Sequence, residues 1–424
     1  MSTFPLEAAV AAEAPDWLHR RRVEAAERFA ATALPTTDDE VWRYSRIADL
    51  DLGRYRAVTD TPGEVPAAAT ALADRLGGLA GLIVVVDGHV VRAELRPELE
   101  NKGVRFGRMT ELDTDGSAFG AVLGEAPDAF GELAIALSAD PVLLDVPDGV
   151  VVDEPFGIVQ FTATAGGASS PRLVVRAGAA SEVNLVEAQA SEGVDALVLP
   201  VVELSVGRDA RVGYVNHQNL GREVWQIGEQ ASSVGQQAHL VASVAAFGGA
   251  YARVRADCRL DGRGATADLL SIYYGDEDQT LDFRTFQDHV APDCTSDLLF
   301  KGVVDDRSRS VYSGLIKVRP GARGTNAFQT NRNVKLSAEA WAESVPNLEI
   351  ENNDVRCSHA STVGPIDADQ RFYLESRGVP TDVAERLVVS GFLDEVVERL
   401  PVEAAKALVR NRIEETLDAA EGLA

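Results

Sequence analysis

The fold is decided by three segments, GRDARVGY at 207–214, GQQAHLVA at 235–242 and GRGATADL at 262–269. In each, a glycine is followed three positions later by a small residue, then by a polar one, and four positions past the small residue by an apolar one. The pattern extends to GAASEVNL at 178–185, APDCTSDL at 291–298 and GARGTNAF at 321–328. Aligned on the small residue, the copies are Ser181, Ala210, Ala238, Ala265, Cys294 and Gly324, at spacings of 29, 28, 27, 29 and 30. The next column is polar throughout (Glu182, Arg211, His239, Thr266, Thr295, Thr325), and the column four positions on is apolar (Leu185, Tyr214, Ala242, Leu269, Leu298, Phe328). Alternate residues of a strand share a face, so the small and apolar columns stack on one side and the polar column on the other. That predicts one coil of a parallel β-helix per repeat, with Leu185, Tyr214, Leu269, Leu298 and Phe328 stacked inside. The glycine is expected to supply the positive φ of each corner, and the small side chain to fit the crowded bend. A β-sandwich would space its strands by about 8–12 residues without column identity.

Outward from the repeats the pattern turns helical on both sides. Residues 1–35 place Trp17, Leu18, Val23, Ala26 and Phe29 at helical spacing. Residues 35–39 make a turn and a helix start before Val41-Trp42-Arg43-Tyr44. Leu82–Val86, Asp87-Gly88 and Val90-Val91 read as a hairpin, and the segment 119–137 as helix. Beyond Pro365, Asp367 is placed to cap a helix that stops at Gly378, and Thr381 to cap the next. Pro401 opens a last amphipathic helix with Val402, Ala405, Leu408, Val409, Ile413 and Leu417 near one face. The predicted architecture is mainly β: a mixed helical region over 1–145, a β-helix core over 146–364 and a helical region over 365–424.

The composition excludes several functions. Of 424 residues, 40 are basic and 66 acidic, a net charge of −26 that repels phosphate backbones and anionic lipid surfaces. The longest apolar run, Leu79–Val86, is far short of the roughly 20 residues of a membrane span. Glu7 and Glu13 stand where a secretory signal would carry basic residues and an apolar segment, so a cytoplasmic location is expected. Only five of the basic residues are lysine, a bias that fits either a high-salt setting or a high-GC genome.

No nucleotide-binding P-loop, no nucleophile elbow and no zinc-protease motif occurs in the chain, so ATP must be bound by a partner. Gly77-Gly78-Leu79-Ala80-Gly81 precedes a strand instead of following one, and reads as a loop. Three cysteines give no disulfide framework. Cys294 falls in the small column and Cys258 alternates with Val254, Ala256 and Leu260, so both read as core. His19, His89, His217, His239 and His289 have no ligand-type neighbour at a suitable spacing. Cys357 and His359 differ: two residues apart in an extended segment, thiolate and imidazole point the same way and can reach one ion or one cluster edge. Two ligands do not complete a site, so the rest must come from a second chain, water or sulfide. The alternative use of this spacing is a buried cysteine beside a hydrogen-bonded histidine on a sheet edge.

The segment PNLEIENNDVRCSHASTVG at 346–364, followed by Phe372-Tyr373-Leu374 and Ser376-Arg377-Gly378, resembles the signature of the SufB/SufD family of iron–sulfur cluster assembly proteins. The Asp354-Val-Arg-Cys-Ser-His359 form resembles the SufD branch, and Glu40-Val-Trp42-Arg43-Tyr44 resembles an N-terminal family element. Asn352-Asn353 departs from the acidic or small pair more usual there. The resemblance implies a non-ATPase scaffold subunit that pairs with SufB and binds the ATPase SufC through its C-terminal helices. It implies that Cys357 and His359 serve a nascent cluster or iron at the SufB interface, and it leaves room for a homodimer in isolation. Reduced flavin is associated with the family's complex, but no sequence feature here would hold it. The competing readings are a carbohydrate-active β-helix enzyme, disfavoured by the cytoplasmic start and an aromatic content of 6%, and a structural solenoid, disfavoured by helical caps at both ends.

Overall fold

The computed structural model describes residues 4–421, with side chains to 418. Two parallel sheets face one another across a lumen. The first stacks Val142–Val146, Arg172–Ala177, Val201–Val206, Val224–Val234, Tyr251–Leu260, Thr280–His289, Arg309–Val318 and Trp341–Ile350. The second stacks Phe156–Thr162, Glu182–Ser191, Arg211–Asn219, His239–Ala246, Thr266–Gly275, Thr295–Val304, Thr325–Lys335 and Val355–Pro365. The chain alternates between the sheets, so each repeat is one coil of a ladder of parallel pairings, as the column pattern requires.

Leu185, Tyr214, Leu269 and Leu298 are buried in the lumen together with Cys258 and Cys294. Phe328 is not: it is 38% exposed on the outer face. Thr295 pairs with Asn326, one residue later than the column alignment has it, so Thr325 follows Cys294 in the small column and Gln329 follows Leu298. Because alternate residues of a strand face opposite ways, that single residue turns Phe328 outward.

The corners correct the sequence reading in a second respect. Positive φ falls on the residue just before the small one: Ala180, Asp209, Gln237, Gly264, Asp293 and Gly324. The repeated glycine serves close approach instead. A Cβ on Gly207 would lie 2.7 Å from the Ala177 carbonyl oxygen, and one on Gly262 1.9 Å from the Gln236 nitrogen.

Both ends of the chain pack on the outside of the solenoid. Helix Asp16–Ala31 buries Trp17, Leu18, Ala25 and Phe29 with Trp42 and Phe130 against Val174, Val201, Trp225 and Ile227 of the first sheet. Helices Thr381–Val397 and Glu403–Glu421 bury Val389, Leu393, Leu408, Val409 and Ile413 against Val186, Val215, Leu270 and Ile272 of the second. The hairpin forms as read, Gly81–Val86 pairing antiparallel with His89–Leu95 around Asp87 and Gly88, both at positive φ. Its first strand also pairs in parallel with Phe156–Thr162, and Arg105–Arg108 extends the first sheet, so both sheets recruit strands from before residue 146.

The segment 119–137 is helical only over Ala129–Ala136, where Asp128 caps the first turn. Gly120 and Gly124 sit at positive φ, and the buried Glu203 carboxylate accepts from the Gly120, Val122 and Leu123 amides at 2.9, 3.0 and 3.1 Å, holding the stretch as turns. Val41–Tyr44 likewise forms no helix beyond the short turn Glu40–Trp42, and Tyr44 takes φ 66°.

Candidate functional site at the open end of the solenoid

Parallel strands need a partner on each edge. Among the described residues, the strand Val355–Pro365 is bonded along one edge to Thr325–Lys335 and has no strand on the other, and Trp341–Ile350 ends the first sheet in the same way. Two free edges of 11 and 10 residues therefore lie side by side at one end of the lumen.

Cys357 pairs with Ala327 and His359 with Gln329. Ala327 and Gln329 are buried toward the lumen, at 0% and 1% exposed, so Cys357 and His359 occupy the lumen-facing column of the last coil. The sequence put the pair on one face of an extended segment; the register adds which face. Cys357 is half-buried against the cluster of Ile316, Val318, Ala322 and Ala327, whereas His359 is exposed. Burial raises the Cys357 thiol above its ordinary value, opposed by a backbone hydrogen bond at Ala327. It therefore rests as a thiol at neutral pH, and a metal would bind only its thiolate form. The Asn352 turn fixes the strand's start: its Nδ2 donates to the Pro320 carbonyl at 2.7 Å and its Oδ1 accepts from the Asp354 amide at 2.9 Å.

Beneath this mouth the lumen changes character. The apolar stack at Leu269 and Leu298 gives way to Gln329, Asn331 and Asn333, one residue in two along the penultimate strand. Asn331 donates to Tyr273 Oη at 3.1 Å, Tyr312 Oη bonds Thr285 Oγ1 at 3.0 Å, and Gln329 is buried beside the Tyr312 hydroxyl. The columns as aligned in sequence missed this polar lining. The run of Gln329, Asn331 and Asn333 at strand period is the signal that carried it.

The other candidates are structural. Burial raises the Cys258 thiol to about 12, and Cys294 Sγ lies 3.2 Å from the Gly262 carbonyl. His217 and His289 are held neutral by burial, pushed down to about 3 and about 4, and His289 bonds Ser296 Oγ at 2.8 Å. His239 faces Asp268 at 2.8 Å. Among the described residues no group of three or more His, Cys, Asp or Glu side chains is gathered to hold a metal ion, so Cys357 and His359 are not completed from within the chain. A second exposed surface lies on Ala368–Ser376 and Thr381–Val397, where Phe372, Tyr373 and Leu387 are 69%, 58% and 50% exposed. Among the described residues no helix is long and apolar enough to cross a membrane.

Residues 160–392 match the family model described as SUF system FeS cluster assembly, SufBD core domain. An iron–sulfur cluster assembly SufBD family protein of Mycobacterium bovis is 30% identical over 399 residues, covering 92% of this chain and 91% of its own. One of Staphylococcus saprophyticus is 24% identical over 421 residues, covering 94% and 89%. With the eight-coil solenoid and the match across nearly its whole length, the chain belongs to the SufBD family of iron–sulfur cluster assembly proteins.

Proposed function

We propose that the chain is the SufD-type subunit of a cytoplasmic SUF scaffold: it pairs with SufB at the open end of the solenoid and supplies Cys357 and His359 to a nascent cluster built between the two chains. The observation that carries this reading is the placement of a thiol and an imidazole on the lumen-facing column of a strand whose outer edge is free. A soft thiolate and a neutral imidazole suit iron, and two ligands leave the remaining positions to sulfide and to the partner. The cluster is cargo, assembled and passed on, and the chain itself turns over no substrate.

The exposed Phe372, Tyr373 and Leu387 are the surface offered to SufC, whose ATP-driven movement would reach the solenoid through the helices packed on its second sheet. Those helices cover Val186, Val215, Leu270 and Ile272, so surface substitutions such as Leu387→Glu test docking more cleanly than their removal. Anaerobic reconstitution of the SufB–SufC–chain complex tests the main reading. Cys357→Ala and His359→Ala should leave assembly of the complex intact and lower iron and sulfide content, while Cys294→Ala lowers stability with little change in cluster yield. Wild-type yields from both Cys357→Ala and His359→Ala would refute the ligand role.

A further inference from the structure

A cavity of about 320 Å³ lies between helix Glu7–Ala11, the segment 58–61, the hairpin at His89 and the end of helix Ala129–Ala136. Four alanines, Ala9, Ala12, Ala136 and Ala139, line it where larger side chains would close it. A water molecule takes about 30 Å³ of the liquid, and packed interiors hold few voids larger than that. The volume belongs instead at the lower end of small-molecule sites, which run from about 300 to 1,000 Å³. Every residue lining it precedes the first strand of the solenoid, so it is separate from Cys357 and His359.

Two polar groups lining the cavity lack the partner that their burial calls for. Arg22 is 3% exposed, and its guanidinium donates to the carbonyls of Ser138, Ala139 and Ala12 at 2.9, 3.0 and 3.1 Å. All three acceptors are neutral, and a guanidinium carries five N–H groups, so donor capacity remains unspent. A buried charge is costly unless an opposite charge meets it. His89 is 7% exposed, and its Nε2 is buried without a hydrogen-bond partner. Its Nδ1 lies 3.9 Å from Asp140 Oδ2, too far for a hydrogen bond, so nothing there prevents the ring from carrying its proton on Nε2. Asp140 is committed to the hairpin: its Oδ2 accepts from the Val90 amide at 3.1 Å and lies 3.6 Å from Arg108 Nε.

We propose that this cavity is a binding site for a small monocarboxylic acid, its carboxylate held between the Arg22 guanidinium and His89 Nε2 and its apolar body lying among the alanines. The planar fork of a guanidinium matches the two oxygens of a carboxylate, and a charged acceptor makes the stronger bond to both donors. Asp140 and the exposed Glu13 also line the cavity, which fixes the charge of the ligand. One negative charge balances Arg22, whereas a phosphoryl group, at about −1.5 to −2 near neutral pH, would bring an excess against both carboxylates. Because the walls come from the N-terminal helix, the segment 58–61 and the hairpin, an acid bound there ties these elements together and stabilises the folded chain by mass action.

The test is titration calorimetry on the full chain with propionate and 4-methylpentanoate as probes and inorganic phosphate as the comparison. At least one of the acids should bind with a Kd of about 1 mM or tighter and raise the unfolding midpoint, and phosphate should bind about tenfold more weakly or not at all. His89→Leu removes an unpartnered buried nitrogen, so it should keep or raise the midpoint of the ligand-free chain while weakening the acid about tenfold or more. His89→Gln, whose side-chain N–H can replace that of Nε2, should recover most of the affinity. Ala12→Leu fills the cavity without touching either donor and should weaken the acid as strongly. No saturation by either acid at about 20 mM overturns the site. Affinity within about twofold of the unaltered chain in Ala12→Leu places the acid elsewhere and overturns it too, and phosphate binding as tightly as the acids overturns the monocarboxylate assignment.

Discussion

Glu229→Gln probes how the N-terminal helices are locked to the solenoid. Glu229 lies on Val224–Val234 beneath helix Ala129–Ala136, where a Cβ on Gly131 would come 3.0 Å from its Oε1, and its Oε2 is buried without a hydrogen-bond partner. Burial, and then the nearby Asp128 carboxylate, push its carboxyl from an ordinary 4.5 to about 8, against the pull of Arg255 and Arg172. The folded state thus holds this proton more tightly than the unfolded chain. The stability it contributes is fully present below about pH 4.5, falls as the pH rises, and is lost by about pH 8. At about 1.4 kcal/mol per pH unit, that interval amounts to at most about 5 kcal/mol. Glutamine keeps the shape and does not ionise. Urea unfolding at pH 5 and pH 8.5 should therefore show the variant close to wild type at the lower pH and about 2 kcal/mol or more stabler at the higher one. His217 runs the opposite way: held down to about 3, it contributes stability above pH 6.5 that is lost as the pH falls. Both proteins carry it, so it cancels in the comparison. Parallel pH profiles for wild type and variant would refute the reasoning.

Two further outcomes follow from the lumen and the charge. Leu298→Ala should cost about 2–5 kcal/mol in denaturant unfolding because it empties a fully buried site, whereas Phe328→Ala, on the outer face, should cost about 1 kcal/mol or less; equal losses would contradict the register. A net charge of −26 repels itself, so the thermal midpoint should rise between about 0.1 and 1 M KCl, where the Debye length falls from roughly 10 to 3 Å; a flat response would remove the case for a high-salt setting.

The solenoid was legible because strand parity repeats: once Ala210, Ala238 and Ala265 align, the pairing of Tyr214, Ala242 and Leu269 follows. Phe328 escaped because Gly324 imitates a small core residue, while in the chain it takes the positive φ that Asp293 takes one coil earlier. The corner glycines were visible, though their reason was not, since close approach between successive coils depends on contacts distant in sequence. The turns over 119–128 read as helix because the buried Glu203 that holds them lies about 80 residues away. The side-by-side placement of Cys357 and His359 came from spacing alone. That they face the lumen needed the pairing with Ala327 and Gln329.

The most direct test of the central claim is to locate the iron. Diffraction at the iron absorption edge from the anaerobically reconstituted complex with SufB should place an iron peak about 2.3 Å from Cys357 Sγ, at the junction of the two solenoid ends, a distance set by thiolate–metal bonds of this kind. Iron bound wholly within the partner chain, away from Cys357 and His359, would contradict the account.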